Sequence, residues 1–140
     1  MENFYNELID KAYDNNIEED DLSRLTNEER LFYVLYTFNI EIENGGLCQF
    51  FTNSSKAFAS YISEYLNQIG ALEIKELFDN FIKNNNIDLN DLSFFDIDDL
   101  SEFEEKVEAY PFEEFDDNYF TITPSLDDYL EKYYNNVILK

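Results

Sequence analysis

The feature that most constrains this chain is its excess of acidic residues. Thirty-two aspartates and glutamates face nine lysines and arginines, which gives a formal net charge of −23, and there is no histidine. Charges of one sign repel one another, so a folded chain must offset this repulsion with a substantial apolar core. Hydrophobic residues make up 44% of the sequence and include 14 Phe and 11 Tyr. Disordered acidic chains are poor in aromatic residues, and we therefore predict a folded protein.

The charge is comparable in density with that of duplex DNA, which carries one negative charge per about 1.7 Å of axis. At that spacing a charge of −23 corresponds to roughly 39 Å of duplex. A compact domain of 140 residues is about 37 Å across. The comparison suggests a partner that is itself basic. Direct binding to nucleic acid or to an anionic membrane surface is disfavoured, because both would repel the chain.

Turn-forming residues are scarce, since the chain contains three Gly and two Pro. This scarcity argues against an all-β design, and apolar residues recur at helical spacing along most of the sequence. The length fits one domain. We predict an all-α fold over residues 1–140, as a single compact domain of about six or seven helices with little or no sheet.

Capping signals indicate several helix boundaries. Thr26 and Glu29 have the spacing of a capping box, and Gly70 is suited to end a helix in the left-handed conformation. Ser101 and Ser125 each predict the start of a further helix.

Other boundaries are predicted from breaks in the apolar pattern. The long apolar helix that follows Thr26 is expected to end at Asn44-Gly45. Either Ser54 or Ser55 is expected to cap the helix after it. Residues 120–123 form the one segment with a strand-like pattern.

A single cysteine, Cys48, excludes an internal disulfide framework. It lies in an apolar stretch and no His is present to activate it, so we expect a buried thiol. The N-terminal sequence MENFYNELID is acidic and amphipathic, unlike a signal peptide. No apolar run approaches the ~18 residues of a membrane span. We expect a cytoplasmic protein without a membrane association.

The residue types argue against catalysis and against a metal cofactor. General acid–base chemistry most often uses His, and zinc sites need Cys or His clusters. A pair of carboxylates could still serve a glycosidase, but among 32 acids no such pair can be identified. Calcium loops starting at Asp88 or Asp96 lack the Gly that the sixth position requires. We expect a protein that is not an enzyme and that uses neither a metal nor another cofactor.

The acidic residues are unevenly distributed along the chain. Residues 88–117 contain thirteen acids and one base, whereas residues 31–87 contain six acids and three bases. We expect the middle of the chain to build the core and the acidic segments to contact a partner. The candidate contact residues are Asp96, Asp98, Asp99, Glu102, Glu104, Glu105, Glu113, Glu114, Asp116 and Asp117, with Glu18, Glu19, Asp20 and Asp21 as a second patch.

The most specific local motif is the string ENGGLCQFFTNS, which starts at residue 43. Its two glycines could form a corner between helices with positive φ. Gln49 and Asn53 lie four residues apart, so on a helix they share one face and could hydrogen-bond exposed backbone at the corner. A structural role is the favoured interpretation, and a ligand site is the alternative. The motif residues are Asn44, Gly45, Gly46, Gln49, Phe50 and Asn53.

This string resembles the bacterial DNA mimic protein 19 family, and the similarity extends over residues 28–134. Ile69-Gly70-Ala71 and the segment from Phe115 to Phe120, followed by a Leu-rich final helix, are also similar to the family. Leu47 and Cys48 occupy its variable positions, and Ser55-Lys56 stands where the family often has glycine. The resemblance implies a mainly α-helical fold. It also implies imitation of DNA, in which an acidic surface occupies the DNA-binding face of a transcription regulator.

The expected function is therefore to bind a basic DNA-binding protein and to block its access to DNA. The acids would replace phosphates opposite Lys and Arg of the partner, while the glycine motif stabilises the fold. Two alternatives remain open: an immunity or antitoxin-like inhibitor of a basic nuclease, and a small ligand-binding domain at the Gly45-Gly46 corner. Acids that serve solubility alone are a further interpretation. Formation of a homodimer also stays open.

Overall fold

A long central helix, α2 (Asn27–Thr52), organises the fold. The structure is a computed structural model that describes residues 1–140, and it contains seven α-helices. The others are α1 (Glu2–Ala12), α3 (Ala59–Ile69), α4 (Leu72–Asn84), α5 (Leu100–Ala109), α6 (Phe112–Thr121) and α7 (Leu126–Tyr133). Helix α2 contacts α1, α3, α5, α6 and α7. A helix surrounded in this way must be apolar on nearly all sides, and its residues 31–35 are all buried.

Short irregular elements connect the helices. Three 3₁₀ turns, at Leu22–Arg24, Ser54–Phe58 and Ser93–Phe95, and a final π-helical turn at Tyr134–Ile138 supplement them. Two strands of two residues each, β1 (Tyr13–Asp14) and β2 (Glu19–Asp20), form an antiparallel hairpin. None of the helices combines the length and the apolar character that a membrane crossing requires.

The prediction of an all-α domain with about six or seven helices and little sheet is confirmed, and the structure has seven. The predicted strand at residues 120–123 is wrong, because α6 continues to Thr121. Phe112, Phe115 and Tyr119 are buried on one face of α6, and this helical spacing determines the conformation. The hairpin lies instead in the acidic stretch after α1.

Three of the predicted helix caps are confirmed, two of them as capping boxes with a reciprocal pair of hydrogen bonds and one as a C-terminal glycine. Thr26 and Glu29 form a capping box at the start of α2, as do Ser125 and Asp128 at α7. Gly70 ends α3 in the left-handed conformation, with a φ of 82°.

The other two predicted serine caps are wrong. Asp99, two residues before Ser101, caps α5 by accepting a hydrogen bond from the Glu102 N–H at 2.9 Å. Neither Ser54 nor Ser55 caps the following helix, because the intervening residues form a 3₁₀ turn. The Ser55 hydroxyl is buried and donates to the Phe50 carbonyl at 2.9 Å.

Aromatic side chains fill the centre of the core. Phe38 of α2 is fully buried and meets the rings of Phe50, Phe78 and Tyr119 edge to face. Aromatic pairs in this geometry stabilise a core beyond the area that they bury. The buried Asn39 accepts a hydrogen bond from the Tyr119 hydroxyl at 2.5 Å. This bond satisfies polar groups that would otherwise destabilise the interior.

Replacing Phe38 with Ala is expected to lower the free energy of unfolding by about 3–5 kcal/mol, because a large cavity would remain among three aromatic rings. Phe120→Ala is the control, since that ring is 56% exposed and its loss should change the free energy by about 0.5 kcal/mol or less. Urea titrations followed by circular dichroism measure both values. Equal losses in the two variants would contradict this description of the core.

Candidate functional site

The acidic segment, residues 88–117, is held on the core by aromatic anchors. It comprises a loop with one 3₁₀ turn, the whole of α5 and the first half of α6. Phe95, Phe112 and Phe115 are each 2% exposed or less, and they fix the direction in which the intervening residues point. Because these rings face inward, most of the acids between them face solvent.

Most of the predicted contact residues in this segment are exposed. Eight of the ten lie at the surface, namely Asp96, Asp98, Asp99, Glu104, Glu105, Glu113, Glu114 and Asp117. Glu102 and Asp116 are partly buried. The structure therefore leaves the greater part of the candidate surface available to a partner.

Several of these acids also have partners within the chain. Asp96 forms an ion pair with Lys56, Asp99 caps α5, and the Glu102 carboxylate accepts a hydrogen bond from the Asp98 N–H. The side chains without an internal hydrogen bond or ion pair are Asp98, Glu104, Glu105, Glu113, Glu114 and Asp117. These six carboxylates are the acids that remain fully available.

Basic side chains neutralise little of the acidic charge. The chain has four ion pairs, so only four of its 32 acids have a cationic partner. Lys106 is the one base between residues 88 and 117, and its ammonium lies 4.0 Å from the centroid of the Phe94 ring. The segment thus keeps a large net negative charge at its surface.

The second predicted patch, residues 18–21, lies at the hairpin. Glu18 and Glu19 are exposed, whereas Asp20 and Asp21 are partly buried. The Asp20 carboxylate accepts a hydrogen bond from the Tyr33 hydroxyl at 2.6 Å. Hydrogen bonds from the side chain and the backbone of Ser23 lower the pKa of Asp21. The patch therefore consists of two exposed acids, one acid that ties the hairpin to α2 and one that caps the 3₁₀ turn at Leu22–Arg24.

Asn53 borders two concavities, each of which is lined by acids of one acidic patch. It borders a cavity of about 640 Å³ that Glu18, Glu19 and Asp20 also line. It also borders an open groove of about 550 Å³, whose lining includes Asp98 and Asp99. The fold thus places acids of both segments in concavities that share one residue of the glycine motif. Sequence spacing alone did not predict this arrangement.

The tandem glycines form a bend inside α2. Gly46 is buried and has a φ of 79° and a ψ of 177°, a combination that is essentially restricted to glycine. A Cβ atom on Gly46 would overlap the carboxylate of Asp116, and one on Gly45 would overlap the amide of Gln49. The prediction of positive φ at the corner is confirmed. Helical geometry resumes directly after Gly46 and continues to Thr52.

The bend frees a backbone N–H that a distant carboxylate satisfies. The Leu47 N–H donates to the Asp116 Oδ1 atom at 3.0 Å. We expected Gln49 and Asn53 to bind exposed backbone here, and that expectation is wrong. The Asn53 side chain donates instead to the Glu41 Oε2 atom at 2.6 Å, and Phe50 is fully buried in the core.

Asp116 has a structural contact that its assignment to the partner surface did not foresee. Its side chain is partly buried and bonds to the corner, so its direct role in the structure is to join α6 to α2. Burial raises the pKa of Asp116, the hydrogen bond from Leu47 opposes this increase, and the charge of Asp117 adds to it. Sequence reasoning missed this role because Asp116 and Leu47 are 69 positions apart.

One feature supports the alternative of a ligand site at the corner, namely an open groove beside it. Gln49 and Asn53 do line the open groove, together with Ile97, Leu100 and Phe103. Neither glycine lines this groove, because the side chains of Gln49 and Asp116 pack over them. The nearby Cys48 is buried, as predicted, and burial raises the pKa of its thiol to about 12. The contacts of the two glycines thus support a structural role.

Comparison with protein families gives one match. A family model described as DMP19-like protein matches residues 23–137. This range contains the whole of the similarity inferred from the glycine motif and confirms it. No curated protein and no solved structure matches the chain.

The corner generates a prediction for a matched pair of glycine variants. Gly46→Ala is expected to destabilise the protein by at least about 2 kcal/mol, because it combines a strained backbone with overlap on Asp116. Gly70→Ala is the control, since Gly70 has a φ of 82° and open space around it. Strain alone should cost that variant about 1–2 kcal/mol. Chemical denaturation compares the two, and a greater loss at Gly70 would contradict the assigned packing.

Asp116 generates a second prediction at the same contact. Asp116→Ala should cost about 1–3 kcal/mol, because it leaves the Leu47 N–H without an acceptor. Asp116→Asn keeps an oxygen in place and should cost less. Urea unfolding of the two variants at neutral pH measures the difference. Equal losses would show that the hydrogen bond contributes little.

The raised pKa of Asp116 fixes the sign of its pH effect. The folded protein holds this proton more tightly than the unfolded chain does. The resulting stabilisation is complete below the ordinary pKa of 3.8 and is lost as pH rises through the higher folded value. The stability of Asp116→Asn relative to the original protein should therefore increase as pH rises over that interval. A constant difference across the interval would contradict the raised pKa.

Proposed function

The chain belongs to the family of DMP19-like proteins, and from this premise we propose that it binds the DNA-binding face of a basic protein and competes there with DNA. A transcription regulator is the class of partner that the proposal favours. The chain would act by binding and not by catalysis, in the cytoplasm, where such partners contact DNA. Its lack of histidine fits this role, because His is the usual general acid or base.

The observation that carries the proposal is the unneutralised acidic surface. Glu104 and Glu105 on α5, and Glu113, Glu114 and Asp117 on α6, are exposed and have no internal partner. Carboxylates in this state can accept hydrogen bonds from Arg and Lys without first breaking an existing contact. They can therefore accept the hydrogen bonds from Arg and Lys that phosphates accept on DNA.

The arrangement of these acids opposes the stability of the helices that carry them. Residues three or four apart on a helix are neighbours, and like charges at that spacing destabilise it by a few tenths of a kcal/mol per pair. Glu104 and Glu108 of α5, and Glu113 and Asp117 of α6, have this spacing. A basic partner would relieve this repulsion, so part of the electrostatic gain arises only in the complex.

The two acidic patches, whose concavities share Asn53, support a partner with an extended basic surface. Complementary charge of this kind accelerates association and makes it dependent on salt. At physiological ionic strength the screening length is about 8 Å. The attraction is therefore expected to be strong at low salt and to weaken as salt is added.

Affinity capture from a cell lysate tests the proposal. The immobilised protein is expected to retain a basic DNA-binding protein at low salt and to release it when duplex DNA is added. A retained nuclease that lost activity in the complex would instead support the immunity-like alternative. Retention of no basic protein would contradict the proposal.

A charge-matched pair of variants locates the interface. Glu104, Glu105, Glu113 and Glu114 are replaced by Gln, and the control carries the same four changes at Glu64, Glu73, Glu76 and Glu131, which are also exposed. At about 0.2–1 kcal/mol per exposed pair, the first variant should bind the captured partner at least about fourfold more weakly. The control should bind nearly as well as the original protein. Equal weakening would indicate a nonspecific charge effect and would contradict the assigned surface.

A further inference from the structure

The cavity beside the hairpin combines several aromatic rings with several carboxylates in one lining. Its volume is about 640 Å³. Three tyrosine rings and one phenylalanine ring contribute to its lining, and four carboxylates surround them. The rings belong to Tyr5, Tyr13, Tyr33 and Phe58, and the carboxylates to Glu18, Glu19, Asp20 and Glu41.

No lysine or arginine lines this cavity. The nearby bases have other partners, since Lys11 pairs with Glu29 at 2.7 Å and Arg24 pairs with Asp14 at 3.3 Å. The four carboxylates therefore face the cavity without a counter-ion from the chain. A concave surface lined by charge of one sign concentrates the electric field and attracts a cation.

After the hydrogen bonds within the cavity are counted, the groups that remain free to bind a ligand are mainly hydrogen-bond acceptors. The Tyr33 hydroxyl donates to Asp20 at 2.6 Å, and the Asn53 amide donates to Glu41 at 2.6 Å. Each carboxylate can accept about four hydrogen bonds, so both retain free lone pairs. A ligand that fits must accordingly supply several donors.

The hydroxyl of Tyr5 is fixed at the base of this network. Thr37 donates to the Tyr33 carbonyl at 2.8 Å, so the Tyr5 hydroxyl donates to the Thr37 oxygen at 2.6 Å. Burial raises the pKa of Tyr5, and the charges of Glu41 and Asp20 raise it further. The ring thus stays neutral, and both carboxylates act on it electrostatically.

We propose that this cavity receives one arginine side chain that a basic protein partner presents. A guanidinium group supplies five donors in a planar fork and stacks on aromatic faces, whereas an ammonium is a compact point charge. The carboxylates do not converge as a group of three or more that could hold a metal ion. Dispersed acceptors around aromatic walls fit a large planar cation. The source of the arginine rests on the proposed function.

Short peptides test the cavity without the partner. The probes are acetyl-Gly-Arg-Gly-amide, the same peptide with Lys, and the same peptide with citrulline, which keeps the shape of Arg and lacks its charge. Two-dimensional NMR follows the backbone amides of the protein. We expect the Arg peptide to shift the amides of Asp20, Tyr33 and Asn53. The Lys peptide should bind more weakly, and the citrulline peptide should cause no comparable shifts.

Two substitutions on one helix make the test specific. Glu41→Gln removes a charge from the cavity and keeps an oxygen for Asn53, so it should weaken Arg peptide binding roughly tenfold. Glu43→Gln makes the same change two residues along α2, at an exposed position outside the cavity lining, and should leave binding unchanged. Asp20→Asn provides a second cavity variant, and the spectra themselves report whether each variant is folded.

The proposal is overturned if the Arg peptide shifts no cavity amides, if it binds no better than the citrulline peptide, or if Glu41→Gln and Glu43→Gln weaken it equally. These outcomes are independent of the lysate experiment. If a DNA-binding protein is captured and the peptide titration fails, only the proposal of an arginine site in the cavity is rejected. Peptide binding at the cavity together with failed capture would remove the proposed competition with DNA and leave the arginine site in place.

Discussion

The hydrogen bond between the Leu47 N–H and the Asp116 carboxylate connects the central helix α2 to the acidic segment, residues 88–117. The rest of the structure depends on these two parts. The bend at Gly45 and Gly46 starts a new helical segment inside α2, and the first N–H groups of such a segment have no partner within it. A carboxylate at that position satisfies one of them and interacts favourably with the helix dipole. This bond adds to the aromatic anchors that attach the acidic segment to the core, and it joins the segment directly to the central helix.

The acids of the segment fall into two groups, according to whether their carboxylates accept hydrogen bonds from the backbone. Asp99, Glu102 and Asp116 accept hydrogen bonds from backbone N–H groups, so their carboxylates build the segment. Glu104 and Glu114 accept none and face solvent. A carboxylate that bonds to the backbone cannot be replaced without loss of local structure, whereas a solvated one can. Only the second group can serve a partner without cost to the fold.

Sequence reasoning predicted what depends on neighbouring residues. The capping boxes of α2 and α7 and the Gly70 terminus follow from residues at most four positions apart, and the structure contains all three. The start of α5 was misplaced because Asp99 and Ser101 are both good caps, and the backbone conformation that decides between them is not a local property. The Asp116 contact spans 69 positions, and no periodicity or composition indicates it.

The distribution of charge follows from the same division between core and surface. The middle of the chain, which has a small net charge, supplies α2, α3 and α4. These helices pack together, and their apolar contacts offset the repulsion between the acids. The acidic stretches form short elements, the hairpin and the pair α5 and α6, which aromatic side chains fasten to that core. Because each stretch is anchored separately, the two can converge at Asn53 although more than sixty positions separate them in sequence. The net charge of the chain does not determine where its acids lie. The buried aromatic rings determine this, because they fix the acidic stretches so that their acids line two concavities.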